Sequence, residues 1–165
     1  MKSHFSRMAK YNAWANARLC GMARGLPDES YRRSVGAFFG SLHGTLNHLL
    51  VTDRIWMHRF TGVGDSPKTL NEILFDDLQS LELARQQEDK RIIQYVGGLS
   101  GNDIDKNLDY TMTNGVPQSH PLADLLAHLF NHQTHHRGQA HTILTVLGIA
   151  EPQSLDLSVM LREKT

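Results

Sequence analysis

The sequence predicts an all-α protein, a four-helix bundle with a small hairpin or loop before the last helix. In several long stretches apolar residues recur every three or four positions, which is the pattern of amphipathic helices. The connections between these stretches contain glycine and proline and are too irregular for a sheet. The length of 165 residues is that of one domain, which we expect to span residues 1–165.

The first two helices follow from their apolar spacing. An amphipathic run from Phe5 to Met22 should end near Gly25, and residues 27–38 have the composition of a connection. The second helix should extend from about Gly40 to Thr61, where two glycines stop it.

The second half of the chain predicts two more helices and a hairpin. The third helix should run from about Leu70 to Val96, with the charged stretch ELARQQEDKR facing solvent. Asn114-Gly115 is a strong hairpin signal between short β-prone runs at 107–119, and this hairpin could act as a lid. The last helix should span Leu122 to Leu147. The tail should pack back on the bundle through three apolar residues, Leu155, Leu157 and Met160.

Composition excludes several classes of protein. Lys plus Arg equals Asp plus Glu at 17 each, and no basic run carries interleaved aromatics, so we expect no nucleic-acid partner. No stretch resembles a signal peptide or a membrane span, so we expect a cytoplasmic protein without a membrane partner. The single cysteine, Cys20, is better explained as a packing residue than as a nucleophile.

The segment HLFNHQTHHRGQAH carries the main chemical signal of the sequence. On a helix, His128, His132 and His136 lie on one stripe, because side chains four apart stand above one another. Two histidines at this spacing can hold one metal ion. Hydrogen-bonded core or surface histidines are the competing interpretation.

A third imidazole is expected from the second helix. His48 lies beside its apolar seam, whereas His43 points about 140° away and should then be solvated. Bundles place metal sites between facing helices, so His48, His132 and His136 could bind one ion and leave positions open to water. An H-E-x-x-H peptidase is excluded, because Gln133 occupies the position of the glutamate. Imidazole suits zinc, nickel, copper or iron, so the ligand set alone does not name the ion. We rank zinc first and nickel second.

Four segments together carry a family resemblance: YNAWAN, SLHGTLNHLLVTDRIWMHRF, NGVPQSHPLADLLAHLFNH and HQTHHRGQ. In this order and across nearly the whole chain they resemble the DinB family. The resemblance implies an up-down-down-up four-helix bundle, usually a homodimer. It also implies a metal held by three histidines, at the positions that match His48, His132 and His136 here.

The same resemblance implies an activity. Relatives in the superfamily look like metal-dependent enzymes that use small thiols, as thiol S-transferases or as a thiol-dependent isomerase. We therefore expect a thiol S-transferase or hydrolase in stress or detoxification, whose partners are a low-molecular-weight thiol and a small electrophile. The catalytic group would be a metal-bound thiol or water alone. A catalytically silent metal-binding stress protein is the alternative, and structural histidines only are the third possibility.

Further residues are candidates for orienting the ligands or for binding substrate. Four could hydrogen-bond the ligand imidazoles or bound water, namely Asp53, His128, His135 and Gln139. Asp53 lies in an apolar seam, where it needs a partner such as Arg54, a histidine or metal-bound water. Arg137 projects about 140° from His132, which favours a surface or interface role.

Overall fold

The computed structural model describes residues 1–163, so the last two residues of the expected domain 1–165 lie outside the described part. Within residues 1–163 the protein is mostly helical, with seven helices and one two-stranded antiparallel sheet. None of these helices is long and apolar enough to cross a membrane. The elements in chain order are α1 Lys2–Ala23, α2 Asp28–Arg32, α3 Leu42–Thr61, α4 Leu78–Gly98, α5 Gly101–Ile104, β1 Asn107–Thr111, β2 Pro117–Pro121, α6 Leu122–Val146 and α7 Leu157–Glu163.

Helices α1, α3 and α6 match the predicted helices to within three residues at each end. The Ser41 side chain caps α3 by accepting a hydrogen bond from the Gly44 N–H, and Gly62 ends the helix with a φ of 72°. A residue with a positive φ cannot continue a right-handed helix, and glycine adopts it without steric cost. Local apolar spacing and capping residues therefore placed these three helices correctly.

The predicted start of the third long helix at Leu70 is wrong, because α4 begins only at Leu78. The Asn47 side chain accepts hydrogen bonds from the backbone N–H groups of Leu74 and Phe75, at 2.9 and 3.0 Å. These donors are bound to a residue of α3 and are unavailable to a helix. The Asp77 side chain then caps the new helix start by accepting from the Ser80 N–H.

The predicted hairpin between the third and last long helices is confirmed. Strands β1 and β2 pair antiparallel from Asn107↔Pro121 to Thr111↔Pro117, and Gly115 in the turn has a φ of 84°. Each strand has only five residues. The hairpin stays short because a turn closes it at one end, where the Met112 N–H donates to the Val116 carbonyl at 2.9 Å, and α6 begins at Leu122 at the other end.

Two large apolar clusters lie toward the two ends of the long helices, and a third, smaller cluster joins α1 to the tail. Helices α1 and α6 run from the first cluster to the second along the chain, whereas α3 and α4 run from the second to the first. The predicted packing of the tail is confirmed, because Met160 is buried with Tyr11 and Ala15 of α1. The first cluster includes Phe5, Trp56, Ile92, Leu126 and Phe130, and the second includes Leu19, Leu50, Leu81, Ala140 and Leu144.

Buried polar residues separate these two clusters and make up what we call the polar layer. Its members come from all four long helices and are Asn12, Asn16, Asp53, Arg85, Asp89, Gln133 and Arg137. Arg85 pairs with Asp53 at 2.7 Å and with Asp89 at 3.0 Å. Arg137 donates a hydrogen bond to Asn12. Two arginines thus face two aspartates, and this balance of charge makes their burial tolerable.

The polar layer corrects three sequence-based predictions. The stretch ELARQQEDKR is not a solvent face, because Arg85, Glu88 and Asp89 are buried. The partner of Asp53 is Arg85, while Arg54 instead pairs with the exposed Asp65. Arg137 is not a surface residue, since it is 1% exposed. Asp53 and Arg137 find their partners on other helices, where no local pattern reveals them. The pairs Arg85–Asp89 and Glu88–Arg91 lie within α4 itself.

Candidate metal centre

The structure brings the three predicted histidines together between α3 and α6. One nitrogen from each of His48, His132 and His136 lies within 4.8 Å of those of the other two. The Nε2 atoms of His48 and His132 are 3.4 Å apart, although 84 positions separate the residues in sequence. The ring centroid of His136 lies 4.4 Å from that of His48 and 4.3 Å from that of His132.

The spacing of these nitrogens fits a metal ion. Imidazole nitrogens bind zinc at roughly 2.0–2.1 Å, so two of them in a tetrahedral site stand about 3.3–3.4 Å apart. The Nε2 atoms of His48 and His132 already have this separation, at 3.4 Å. Three imidazoles leave at least one position open, in contrast to structural zinc sites with four protein ligands.

His48 is held on two sides by residues that sequence reasoning did not single out. The Leu70 carbonyl accepts a hydrogen bond from His48 Nδ1–H at 2.7 Å, so the Nε2 lone pair points toward the cluster. The Phe39 ring stacks on the imidazole, with centroids 3.7 Å apart. The sequence could have indicated Phe39, because two adjacent aromatic residues stand in a loop bounded by Gly36 and Gly40. The role of the Leu70 carbonyl has no such signal in the sequence, because every residue has a backbone carbonyl.

The loop that carries Phe39 lies directly against the start of α3. A Cβ added at Gly44 would lie 2.1 Å from the Phe39 carbonyl oxygen, which is far inside any normal contact. Gly44 is therefore required for this close approach. The contact between Gly44 and the Phe39 backbone therefore positions both the first turn of α3 and the Phe39 ring that covers His48.

His136 is oriented from its own helix. Gln139 Oε1 accepts a hydrogen bond from His136 Nδ1–H at 2.8 Å, while Gln139 Nε2 donates to His135 Nε2 at 3.1 Å. Nε2 of His136 is thereby left as the free nitrogen. His132 differs, because its Nδ1 is buried and has no hydrogen-bond partner within residues 1–163.

The environment keeps the three rings neutral. Burial lowers the pKa of His48 to about 4, and burial together with the neighbouring His136 lowers the pKa of His132 to about 3. Burial also lowers the pKa of His136. Neutral imidazoles have a lone pair to offer, so near pH 7 the cluster is prepared to bind a cation.

Comparison with known proteins identifies the family of this chain. A sequence model of the DinB family matches residues 1–162. The chain belongs to the DinB family. It is 26% identical over 153 residues to "Protein DinB" of Bacillus subtilis (strain 168), with 87% of this chain and 86% of that protein covered. The fold is similar to the crystal structure of a DinB-like protein from Bacillus cereus ATCC 10987, with a TM-score of 0.65 and 16% identity over 85% of this chain and 89% of that chain.

Other predicted site residues of this DinB family protein lie at different distances from the cluster. Asp53 is fully buried and is bound by Arg85 and Gln133, without a hydrogen bond to any of the three histidines within residues 1–163. Its place beside the metal stays a prediction. Gln139 contacts His136 directly. The His135 ring packs edge-on against that of His136, with centroids 4.7 Å apart, and His135 also accepts a hydrogen bond from Gln139.

His128 and His43 complete the histidines considered from the sequence. The His128 ring lies 6.0 Å from that of His132 and 5.1 Å from that of Trp56, at the edge of a cavity. His43 is buried and its Nε2 lies 3.1 Å from the Phe75 carbonyl oxygen, so the expectation that it is solvated is wrong. Because it is bound in this way, His43 takes no part in the cluster.

A cavity of about 420 Å³ opens beside His132, between α3, α6 and the hairpin. Aromatic and apolar side chains make up most of its wall, and Arg59 supplies a cation. Sequence reasoning missed Arg59 and Tyr110, because only the folded hairpin brings β1 over α3. Its lining includes Trp56, Arg59, Leu70, Tyr110, Met112, His128 and His132.

Proposed function

We propose that this protein is a metal-dependent enzyme, a thiol S-transferase or a hydrolase that acts in stress or detoxification. Its divalent metal would bind His48, His132 and His136, with zinc first and nickel second. One observation carries the proposal: three neutral imidazoles converge at coordination spacing beside an open cavity. Such open three-ligand sites are typical of catalytic metals.

Different residues at this site would hold the metal, orient its ligands and bind the substrate. A divalent cation lowers the pKa of a bound thiol or water, which makes a nucleophile available near neutral pH. Leu70 and Phe39 orient His48, and Gln139 orients His136, so the ligand set is arranged before substrate arrives. The cavity beside His132 would hold the electrophile next to the histidine cluster. Its volume of about 420 Å³ suits a small organic molecule.

In the proposed transfer, the thiol loses its proton to solvent and its sulfur forms a bond to an electrophilic carbon. The leaving group departs with the electron pair of the broken bond. In the hydrolase version, water takes the place of the thiol. Both reactions use the same three histidines and the same cavity.

A catalytically silent metal-binding stress protein is the second candidate. It is favoured by the position of Asp53, the one carboxylate expected beside the metal. Asp53 is bound to Arg85 and Gln133, and within residues 1–163 no carboxylate forms a hydrogen bond or ion pair with the three histidines. A site without a nearby acid or base could bind a metal and transform nothing.

Metal content and conjugation activity test these candidates in sequence. Protein purified without a histidine tag should contain close to one equivalent of metal, and His132→Ala should contain much less. Metal content of only a few tenths of an equivalent, unchanged in His132→Ala, would leave structural histidines alone. The loaded protein is then incubated with monochlorobimane and glutathione, bacillithiol or mycothiol. Metal-dependent conjugation supports the transferase, and its absence with every thiol supports the silent protein.

The assembly and location of the protein are also proposed. The opposite running directions of α1 and α6 against α3 and α4 support an up-down-down-up four-helix bundle. Leu83 on α4 and Val146 on α6 are more than half exposed, which supports a homodimer through helix faces. A monomeric mass by light scattering at micromolar concentration would remove the dimer. The free thiol of Cys20 fits the cytoplasm, a reducing compartment.

A further inference from the structure

We infer that the cavity beside His132 takes a small molecule with a carboxylate end, and that Arg59 binds this carboxylate. The inference rests on the proposed function, because the other end of the same molecule has to reach the three histidines. Arg59 would then select the substrate, while the histidines and the metal perform the chemistry.

Arg59 and His48 lie on one face of α3. Eleven residues separate them, which is three helical turns with only about 20° of rotation and about 16 Å of rise. Thr52 and Ile55 stand between them on this face and line the same cavity. The cavity therefore extends along α3 from the histidine cluster to Arg59. An extended tripeptide such as glutathione spans roughly 10 Å. The long side chain of Arg59 covers part of the remaining distance between Arg59 and the histidine cluster.

The guanidinium of Arg59 has aromatic neighbours and no anionic partner. Its Cζ lies 4.6 Å from the centroid of the Trp56 ring and 5.2 Å from that of Tyr110. No carboxylate within residues 1–163 lies at salt-bridge distance from Arg59, whereas Arg54 on the same helix pairs with Asp65. Burial lowers the pKa of Arg59, so the free protein bears an electrostatic cost at this position. An anion bound there would relieve it.

The shape and charge of this subsite favour a carboxylate. A guanidinium held by two rings presents a planar fork that matches the two oxygens of a carboxylate. An adjoining cavity of about 580 Å³ shares Arg59 and Tyr110 and adds Lys68 to its wall, which makes this end positive. Asp124 also lines the main cavity but forms no salt bridge with Arg59. A neutral or cationic end group would gain nothing from Arg59.

The test compares two probes that share a thiol and differ in charge. Protein loaded with cobalt(II) is titrated with glutathione and with glutathione diethyl ester, which lacks both free carboxylates. Absorption from thiolate bound to cobalt(II) reports the affinity of each. Glutathione should bind at least about tenfold more tightly than the ester, as expected for a charge-assisted bidentate pair. In Arg59→Met the two affinities should become equal, and Arg59→Lys should keep part of the preference.

Arg54→Met is the matched control, because it removes an arginine of α3 whose partner lies outside the cavity. It should keep the full preference for glutathione. If Arg59→Met does not fold, Arg59→Gln serves the same comparison. Competition needs no variant at all: glutarate should weaken the binding of glutathione and leave that of the ester unchanged.

The possible results separate this inference from the proposed function. Equal affinities of the two probes in the unmodified protein, or a preference that persists in Arg59→Met, would overturn the inference while leaving metal and thiol binding intact. Failure to bind cobalt(II), or absence of a thiolate signal with either probe, would overturn the proposed function and the inference with it.

Discussion

Gln133 on α6 donates a hydrogen bond from its side-chain amide to the backbone carbonyl of Leu49 on α3, at 3.0 Å. The same nitrogen also contacts the Asp53 carboxylate. Gln133 follows His132 in sequence, and Leu49 follows His48. The bond therefore joins the two helices at the level of the histidine cluster, and it fixes the separation that a shared metal requires.

Replacing this amide should weaken both the fold and the metal site. Gln133→Leu removes the Gln133 donor from one Asp53 oxygen in the buried polar layer, which should lower the free energy of unfolding by about 1–3 kcal/mol. The Leu49 carbonyl loses its bond across the helices and keeps only Arg85 and Thr52 as side-chain donors. Zinc affinity should fall as well, because the helices lose their common anchor. Urea titration and zinc binding measure the two effects. The control Gln87→Leu, at an exposed position of α4, should stay within about 0.5 kcal/mol of the unmodified protein. Equal stabilities of the two variants would contradict this role.

The same bond shows how far the sequence could be used to predict the site. His132 and His136 were predictable, because their spacing on one helix is a local pattern. His48 needed its position beside an apolar seam and the resemblance to the DinB family. The Leu70 carbonyl and the Leu49 carbonyl were not predictable, since a backbone group has no residue type that marks its role.

Prediction failed most clearly for the polar layer. In single-sequence reasoning, Arg85 and Arg137 are surface residues, because an unpaired buried arginine is too costly. Arg85 is compensated by Asp53 of α3 and by Asp89 of its own helix, and Arg137 donates hydrogen bonds to Asn12 of α1 and to Thr134. The contacts between helices form only when the four long helices pack together, so the sequence of one helix does not reveal them. The helices themselves were predictable because apolar spacing and caps are local.

Gly44→Ala should disturb the metal site without touching a histidine. The added methyl would lie 2.1 Å from the Phe39 carbonyl oxygen, so the loop has to move and the Phe39 ring has to leave His48. We expect zinc affinity to fall by roughly tenfold or more, as for other changes next to metal ligands. Titration against a competing chelator measures this.

Gly21→Ala in the last turn of α1 is the control for Gly44→Ala. Its added methyl would have no neighbour closer than 3.8 Å. This variant should keep the zinc affinity and gain about 0.5–1 kcal/mol of stability, because alanine favours a helix more than glycine does. If both glycine variants bind zinc like the unmodified protein, Phe39 does not position His48.

Zinc should stabilise the protein through the three histidines alone. A ligand that binds only the folded state at a hundred times its Kd adds about 2.7 kcal/mol to the free energy of unfolding. We expect a gain of this order for the unmodified protein and none for His48→Ala or His136→Ala. His58→Ala, outside the cluster, should keep the gain. Thermal or urea unfolding with zinc and with a chelator measures it, and a gain retained in His48→Ala would place the metal elsewhere.

The metal-free cluster should make stability depend on pH. The pKa values of His48 and His132 in the folded protein, about 4 and about 3, lie below the value of 6.5 for an ordinary histidine. Between these values the unfolded chain binds protons that the folded protein does not. Their stabilising contribution is therefore complete above about pH 6.5 and is lost as the pH falls toward about 4 for His48 and about 3 for His132.

Asp53 acts in the opposite direction, because burial raises its pKa to about 7 and its contribution to stability is lost as the pH rises. A comparison between proteins that all retain Asp53 cancels this effect. Urea unfolding in EDTA at about pH 7.5 and about pH 5 should show that His132→Gln loses less stability on acidification than the unmodified protein. His4→Gln, at an exposed position outside the cluster, should lose as much as the unmodified protein. If His132→Gln loses as much stability as the unmodified protein, His132 titrates as a solvated imidazole. Burial would then not be the reason why the His132 ring is neutral near pH 7.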